Sequence, residues 1–300
     1  MSSVSLQKIA VAGASGSVGT AVVDALLSKG FSVTAITRKD SRSIFPARVS
    51  VVKANLNSKE SLSTAIRGQD AVVSCIGTAA VGVQTVLIEA VIDAKVKRFI
   101  PSDFGMDFMH SNHKVVKELG SKMETLNRLD QLAREHKWFS WTSVVNNLLF
   151  DWGLSTGFLG FDLLNHKATI VASGNQPFST TNLQTVGQTI ASILTHPDET
   201  ANKLISVSSF TTTQNEILQL LEAESGQKWQ VERISSDDLD KLGDQKKSKG
   251  DFSYFMFYLR HYFFSDGSIG FLKEEDSANE LLGLDKEDIR DTIRKELNFD

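Results

Sequence analysis

The sequence predicts an α/β protein, with a doubly wound parallel Rossmann sheet joined to a smaller, discontinuous α+β substrate domain. Three observations predict this fold class. A short apolar run at residues 9–12 leads into a glycine-rich turn and then into an amphipathic helix. Further apolar runs alternate with helical patterns at the intervals typical of βαβ units. Beyond about residue 148 this regular alternation is lost, which indicates a second, differently built part.

The glycine-rich turn lies within KIAVAGASGSVG, residues 8–19. Gly13 permits the tight turn, Gly16 lets the backbone approach a pyrophosphate, and Gly19 allows the helix to pack closely on the strand. The following helix would direct free N–H groups and its positive dipole end at the phosphates. Glycines also serve turns that bind nothing, so the correct flanks favour a nucleotide site. The predicted cofactor-binding residues here are Gly13, Ser15, Gly16, Ser17, Val18 and Gly19.

The end of the second predicted strand, residues 31–37, favours NADP(H) over NAD(H). An acidic residue at this place would hold the ribose 2′-OH of NAD, whereas this chain has Arg38 and Lys39. A guanidinium suits a 2′-phosphate, and the alternative is a solvated basic pair. Asn55, after the third strand, would lie near the adenine. Gly77, after the fourth strand, completes the predicted cofactor site.

The apolar and helical patterns also predict the order of the elements. The strands of the sheet are predicted at residues 9–12, 31–37, 49–53, 71–76, 96–100, 138–145 and 204–207. Helices are predicted at 60–66, 81–94, 114–134 and 182–194. The second part is predicted to contain a hairpin at 167–175, helices at 213–225 and 236–248, a strand near 228–234 and the aromatic segment 252–264.

These elements predict two domains, each made of two stretches of chain. Residues 1–147 plus about 180–209 would form the NADP-binding Rossmann domain. Residues from about 148–179 plus 210–300 would form the substrate-binding domain, folded over the carboxyl edge of the sheet. The 300 residues are ample for one large core and one small core.

Composition limits the possible partners and the location. Hydrophobic residues make up 41% of the chain, charged residues 23%, and the net charge is −4. This charge gives no reason to expect nucleic acid or an anionic membrane as a partner. The single cysteine, Cys75, excludes an internal disulfide and fits a reducing compartment. With no leader-like start and no apolar run of about 20 residues, we expect a cytoplasmic monomer or homodimer.

The acid/base pair Tyr-x-x-x-Lys, usual in short-chain dehydrogenases, is absent. None of Tyr254, Tyr258 and Tyr262 has a lysine four residues later. A lysine near the nicotinamide would be a natural substitute, because burial beside a cationic ring lowers its pKa toward neutrality. Spacing alone does not choose among the three candidates on or near the predicted helix at 114–134. They are Lys114, Lys117 and Lys122.

Other reactive groups give weaker indications. His110 and His113 lie in a polar loop without a matching ligand pair, so no metal site is predicted. Cys75 is most simply a buried, small apolar residue. The aromatic segment 252–264 could line a pocket for a planar substrate or form the core of the smaller domain, and the sequence does not decide between them.

Several motifs together resemble the NmrA-like, isoflavone-reductase-like branch of the atypical short-chain dehydrogenases. They are GASGSVG, the Arg38-Lys39 ending, PSDFG at 101–105 and the lysine-bearing helix. The likeness is closest to fungal-type isoflavone-reductase-like proteins and covers nearly the whole chain. Further matching segments lie at 141–154, 160–170, 177–183, 214–222 and 278–284.

The resemblance implies roles for individual residues. The family's catalytic lysine corresponds to Lys122, which is also expected to contact the cofactor. Asp103 stands where the family has glutamate in PSEFG. At 146–148 this chain has Asn-Asn-Leu where the fungal group tends to have Thr-Gly-Pro, so the substrate specificity cannot be carried over. The residues expected to contact the substrate are Phe104, Asn146, Asn147 and Phe150.

The function implied is an NADPH-dependent reductase of a small aromatic or conjugated substrate, phenolic or polyketide-like, in secondary metabolism. Hydride would pass from the nicotinamide while Lys122 acts as general acid or base. One alternative is a non-catalytic NADP(H)-sensing regulator of the NmrA type. Another is an enzyme that catalyses a redox-neutral rearrangement or dehydration in the same pocket. Lys122 favours an enzyme, because a sensor needs no proton donor.

Overall fold

The computed structural model of the protein describes residues 5–77, 81–107 and 113–297. The strands are β1 (Lys8–Ala12), β2 (Ser32–Arg38), β3 (Ser50–Ala54), β4 (Ala71–Ser74), β5 (Arg98–Ile100), β6 (Ser140–Val145), β7 (Leu148–Leu149), β8 (Phe161–Asp162), β9 (Lys167–Val171), β10 (Phe178–Thr181), β11 (Lys203–Ser206), β12 (Phe210–Thr212) and β13 (Gln230–Ile234). The helices are α1 (Ser17–Ser28), α2 (Lys59–Ala65), α3 (Val81–Asp93), α4 (Lys114–Glu118), α5 (Gly120–Glu135), α6 (Phe150–Ser155), α7 (Leu183–Thr195), α8 (Gln214–Ser225), α9 (Ser236–Ser248), α10 (Tyr254–Phe264) and α11 (Ile289–Leu297).

A parallel sheet of seven strands forms the centre of this described part of the chain. Its strand order is β11-β6-β5-β4-β1-β2-β3, and each neighbouring pair is parallel. The order changes direction between β1 and β4, which is the point where doubly wound sheets bind their ligands. The predicted doubly wound α/β fold is confirmed.

Alternating side chains of the sheet pack against helices on both faces. Ile9 and Val11 of β1 belong to the core shared with α1 and α7. Ala10 and Ala12 belong to the core on the other face, shared with α2, α3 and α5. Because both faces are covered, the strands are apolar almost throughout, as expected for a parallel sheet.

A second part of the molecule contains two small sheets, with strand orders β12-β10-β7 and β13-β9-β8 within the described ranges. The hairpin predicted at 167–175 is wrong in its pairing. Strand β9 pairs antiparallel with the preceding β8 and parallel with the much later β13. The pairing with β13 joins residues about 60 positions apart, and no local turn signal could indicate it.

The helix predicted at 114–134 is broken into α4 and α5 at Leu119. Leu119 is buried in the second core, and Gly120 follows it as the first residue of α5. Glycine lowers helix propensity by about 1 kcal/mol relative to alanine, so this is a weak point for a continuous helix. The break places Lys122 in the first turn of α5 instead of in the middle of a long helix.

The C-terminal stretch packs against both parts of the molecule. Leu282 is buried in the core between the sheet and α1, and its carbonyl accepts a hydrogen bond from Ser192 Oγ at 2.6 Å. In α11, Arg294 pairs with Glu224 of α8 at 2.7 Å. The two-domain division of the chain stays a prediction. Leu282, within the range predicted for the substrate domain, contributes to the core of the large sheet.

Candidate active site

The glycine turn after β1 is held by close backbone packing. Gly13 has φ +79°, and a Cβ on it would lie 2.4 Å from the carbonyl oxygen of Cys75. A Cβ on Gly19 would lie 2.1 Å from the carbonyl oxygen of Gly13. Both positions therefore exclude any side chain, because real Cβ contacts are never so short. Gly16 differs, since a Cβ there would make one ordinary contact of 3.5 Å.

The N-terminus of α1 is open to a ligand. Gly16 is its N-cap and offers no side chain to the free N–H groups, and the first turn carries no acidic residue. Ser15, Gly16 and Ser17 are exposed, Val18 is partly buried, and Gly19 is buried. Unsatisfied N–H groups and a positive dipole end suit a phosphate. The turn thus fits the pyrophosphate of a dinucleotide.

The predicted adenosine-binding residues lie on one side of this turn. Arg38 ends β2 and Lys39 follows it, both exposed. The Nε of Arg38 is 3.9 Å from Asp40 Oδ1, a loose contact that leaves the guanidinium available. Asn55 shapes the turn after β3, since its Oδ1 accepts from the Asn57 N–H at 3.1 Å. Gly77 follows β4, on the other side of β1 from these residues, and is exposed.

On the other side of the turn lies a cavity of about 340 Å³. Its walls are mostly apolar, with one cationic and two amide side chains. The lining residues are Phe104, Gly105, Met106, Leu119, Lys122, Asn146, Asn147, Leu148, Leu149, Trp152, Phe158, Phe255, Met256, Leu259 and Phe263. Strands β2, β1, β4 and β5 are successive neighbours about 4.8 Å apart, so β5, which leads into Phe104 and Gly105, lies roughly 14 Å from β2, which ends at Arg38.

Lys122 brings an ammonium group to the cavity. Its Nζ lies 4.0 Å from the place that a Cβ on Gly105 would occupy. Burial lowers the pKa of Lys122, and the negative charge of Asp103 opposes this shift. The positive end of the α5 dipole also disfavours a cation in the first turn. Lys122 is therefore a better proton donor than an ordinary lysine.

Asp103 supports Lys122 from within the protein. Burial raises the pKa of Asp103 to about 6, while the Lys122 charge and a hydrogen bond donated by Ser143 Oγ at 3.4 Å oppose the rise. Its other carboxylate oxygen, Oδ1, is buried without a partner among the described residues. The carboxylate and the ammonium thus favour each other's charged forms.

The other two candidate lysines lie outside the cavity. Lys114 is exposed and pairs with Asp240 at 3.1 Å and with Asp244 at 3.2 Å. Lys117 is also exposed. Of the three lysines between which spacing could not choose, Lys122 is the one that lines the cavity.

The predicted substrate contacts divide into two groups. Phe104, Asn146 and Asn147 line the cavity. Asn147 has φ +54°, and its N–H donates to the carbonyl of Gly105 at 2.9 Å. Phe150 is placed elsewhere, because its ring is fully buried and packs edge-on against Phe210 at a centroid distance of 4.8 Å. The direction of the Phe150 side chain follows from its place as the first residue of α6, a helix that the sequence did not predict.

Helix α10, which contains most of the aromatic segment 252–264, forms one wall of the cavity. Phe255, Leu259 and Phe263 recur at intervals of four residues and face the cavity together with Met256. Tyr258 is instead buried in the core of the smaller part. The aromatic segment is therefore both pocket and core. Its four-residue spacing was the signal that could have separated the two faces.

The two histidines of the predicted polar loop do not form a metal site within the described part of the chain. His113 caps α4, where its Nδ1 accepts the Val115 N–H at 3.2 Å, and His110 lies outside the described residues. Across residues 5–77, 81–107 and 113–297, no three His, Cys, Asp or Glu side chains are grouped to hold a metal ion. In the same ranges, no helix has the length and apolar character needed to cross a membrane.

The fold and this site define the class of protein: the chain belongs to the NmrA-like family, whose model matches residues 5–263. The resemblance inferred from the motifs is thereby confirmed. The chain is 32% identical over 297 residues to the oxidoreductase poxI of Penicillium oxalicum, covering 97% of this chain and 94% of poxI. It is 31% identical to the oxidoreductase aprR of Aspergillus flavus, covering 95% of this chain and 97% of aprR.

Solved structures show the same fold over almost their full lengths. AtPrR2 with NADP⁺ and (+)pinoresinol has a TM-score of 0.78 at 22% identity, with 97% of this chain and 99% of that one covered. The binary complex of leucoanthocyanidin reductase and NADPH from Vitis vinifera has a TM-score of 0.79 at 19% identity, with 96% and 99% covered.

Proposed function

We propose that this protein is an NADP(H)-dependent reductase of a small aromatic or conjugated molecule. The observation that carries the proposal is the position of Lys122, an ammonium group in an apolar cavity at the carboxyl edge of the sheet. The charge of Asp103 acts on this ammonium and favours its protonated form, which is the form that can donate a proton to a ligand.

The cofactor assignment is supported by the glycine turn and by relatives. The open N-terminus of α1 suits the pyrophosphate, and Arg38 and Lys39 suit the 2′-phosphate. The two fungal relatives are both named oxidoreductases, and the two similar structures contain NADP⁺ or NADPH. When bound, NADPH would supply a hydride to an electron-poor carbon of the substrate.

Lys122 would handle the charge that this transfer creates. An oxygen conjugated to the reduced carbon gains electron density, and the Lys122 ammonium donates a proton to it or stabilises it electrostatically. The lowered pKa of Lys122 favours proton donation, and the carboxylate of Asp103 keeps the group charged beforehand. The apolar walls exclude water, so the interaction is stronger than in solution.

The first experiment tests turnover. We expect the purified protein to oxidise NADPH when supplied with members of a panel of phenolic and quinonoid compounds, followed by the loss of nicotinamide absorbance. Tight NADPH binding without oxidation by any compound would contradict the proposed reaction and favour a cofactor-sensing protein. A product isomeric with its substrate, formed without NADPH consumption, would indicate a redox-neutral reaction instead.

The second experiment tests cofactor choice. We expect NADPH to bind at least tenfold more tightly than NADH, a difference of about 1.4 kcal/mol in binding free energy, which contacts of a guanidinium with phosphate can supply. Calorimetric titration with both cofactors measures this ratio. Arg38→Gln should reduce it toward one. Arg67→Gln should leave the ratio unchanged, because Arg67 precedes β4 and so lies toward the amino ends of the parallel strands. Equal affinities of the wild type for NADPH and NADH would refute the assignment.

A further inference from the structure

A second cavity, of about 270 Å³, adjoins the candidate active site. The two cavities share Trp152, Phe158 and Met256 as walls. They lie on neighbouring faces of α10, because Met256 borders both while Arg260 borders only the second. Met256 is unbranched and has several rotatable bonds, so this shared wall can adapt to a ligand that extends from one cavity into the other.

Arg260 is a partly buried cation that has no acidic partner among the described residues. Its Nε is fully buried and has no hydrogen-bond partner among the described residues. Its Nη2 makes one long hydrogen bond, 3.4 Å, to the carbonyl of Thr169. Burial lowers the pKa of Arg260, and no neighbouring carboxylate opposes the shift. A guanidinium in this state is costly to the fold, since buried charges are normally paired.

The surroundings of Arg260 decide on which side an anion would bind. On one side lies a cavity of about 230 Å³ whose walls include Asp162 and Glu232, which would repel an anion. On the other side is the second cavity, whose walls are Trp152, Thr156, Gly157, Phe158, Met256 and Phe257 together with Arg260. These walls carry no negative charge. The aromatic rings offer an apolar contact surface to a planar group, and an acidic group would match the guanidinium.

We propose that this second cavity is an acid-binding subsite of the active site, and that the substrate is an aromatic or conjugated carboxylic acid. The carboxylate pairs with Arg260, and the apolar body runs past Met256 toward Lys122. Guanidinium and carboxylate match in geometry, so the pair also orients the substrate. The reduction itself rests on the function proposed above, whereas the binding of the acid does not.

Direct binding tests the subsite without any reaction. We expect cinnamate, used as the probe, to bind at least tenfold more tightly than cinnamamide by calorimetry in the absence of NADPH. Arg260→Gln should abolish this preference, and Arg260→Lys should retain part of it because the charge remains. Arg128→Gln, an exposed arginine on α5, should bind as the wild type does. Thermal unfolding confirms that each variant is folded.

Three outcomes of this titration would overturn the subsite, two of which concern the wild type and the glutamine variants. One is equal binding of the acid and the amide to the wild type. The other is an equal loss of preference in Arg260→Gln and Arg128→Gln, which would indicate general attraction to the protein's charges. If the lysine variant loses the preference as fully as the glutamine variant while both stay folded, charge at this position is not what binds the acid, and the subsite is also refuted.

Steady-state kinetics then distinguishes a failure of the acid-binding subsite from a failure of the proposed reduction. For a conjugated acid that the wild type reduces, we expect Arg260→Gln to raise KM at least tenfold with little change in kcat, and the methyl ester to show no such effect. A wild type that binds cinnamate through Arg260 but reduces no compound would contradict the reaction alone. A wild type that reduces neutral compounds but not acids would refute the substrate class alone.

Discussion

Replacing Lys122 with Met is expected to lower kcat by about 10²–10⁴-fold, the usual contribution of general acid catalysis. Methionine keeps much of the aliphatic stem beside Gly105 but removes the proton and the charge. NADPH affinity should change little, because the phosphates are held at the glycine turn. Steady-state kinetics on the best substrate, with a calorimetric NADPH titration, measures both effects. A loss confined to kcat identifies an interaction made in the transition state.

The matched control for this variant is Lys117→Met. Lys117 is exposed and close in sequence, so its loss should leave turnover nearly intact. Lys114 is less suitable, because its ion pairs with Asp240 and Asp244 make its removal a structural change. Unchanged turnover in Lys122→Met, or a collapse in Lys117→Met, would contradict the assignment of the proton donor.

The pH profile gives a further readout of the same assignment. If Lys122 donates the proton, activity is lost as pH rises through its pKa, which burial places below that of an ordinary lysine. Asp103 opposes this lowering, so Asp103→Asn should move the loss of activity to lower pH. A profile that does not shift in Asp103→Asn would contradict the coupling between the two groups.

Gly16→Val is expected to abolish NADPH binding while leaving the protein folded. The valine side chain would stand where the pyrophosphate must lie. The fold should tolerate it, because Gly16 has φ −80° and a Cβ there meets only the carbonyl of Gly13 at 3.5 Å. Calorimetry measures NADPH binding, and thermal unfolding measures stability.

Gly19→Val provides the contrast. Its Cβ would lie 2.1 Å from the carbonyl of Gly13, so this variant should lose stability as well as cofactor binding. If Gly16→Val binds NADPH as the wild type does, the glycine turn is not a phosphate site. If Gly16→Val unfolds as Gly19→Val does, its loss of binding would report only the fold, and Gly16→Ala would have to separate the two effects.

The large sheet was predictable because its signals are local. Each strand is a short run of apolar residues, and each helix has its own periodicity, so β1, the glycine turn and α1 follow from some twenty consecutive residues. The pairing of β9 with β13 was not predictable, because it depends on packing between distant segments. The break at Leu119 likewise depends on the burial of that side chain in the second core.

The sequence indicated which residue types the candidate site contains, but it did not indicate how their side chains are arranged. Spacing left Lys114, Lys117 and Lys122 as equal candidates. The sequence predicts one continuous helix here, whereas the structure has two helices that meet at Leu119. This break changes the direction of Lys122 relative to the other two lysines. The direction of Phe150 depends on the unpredicted turn into α6. Arg260 carried no signal at all, since an arginine within an aromatic helix is ordinary until its burial and lack of a partner are known.

The cavity is built from two parts of the molecule whose side chains can be exchanged independently. Lys122 belongs to α5, which packs on one face of the large sheet, and Gly105 is bridged to Val145 of β6. The side chains of α10 contribute to the cavity from a helix of the smaller part. Exchanging Phe255 or Leu259 would therefore change which molecules fit the cavity without moving the ammonium group.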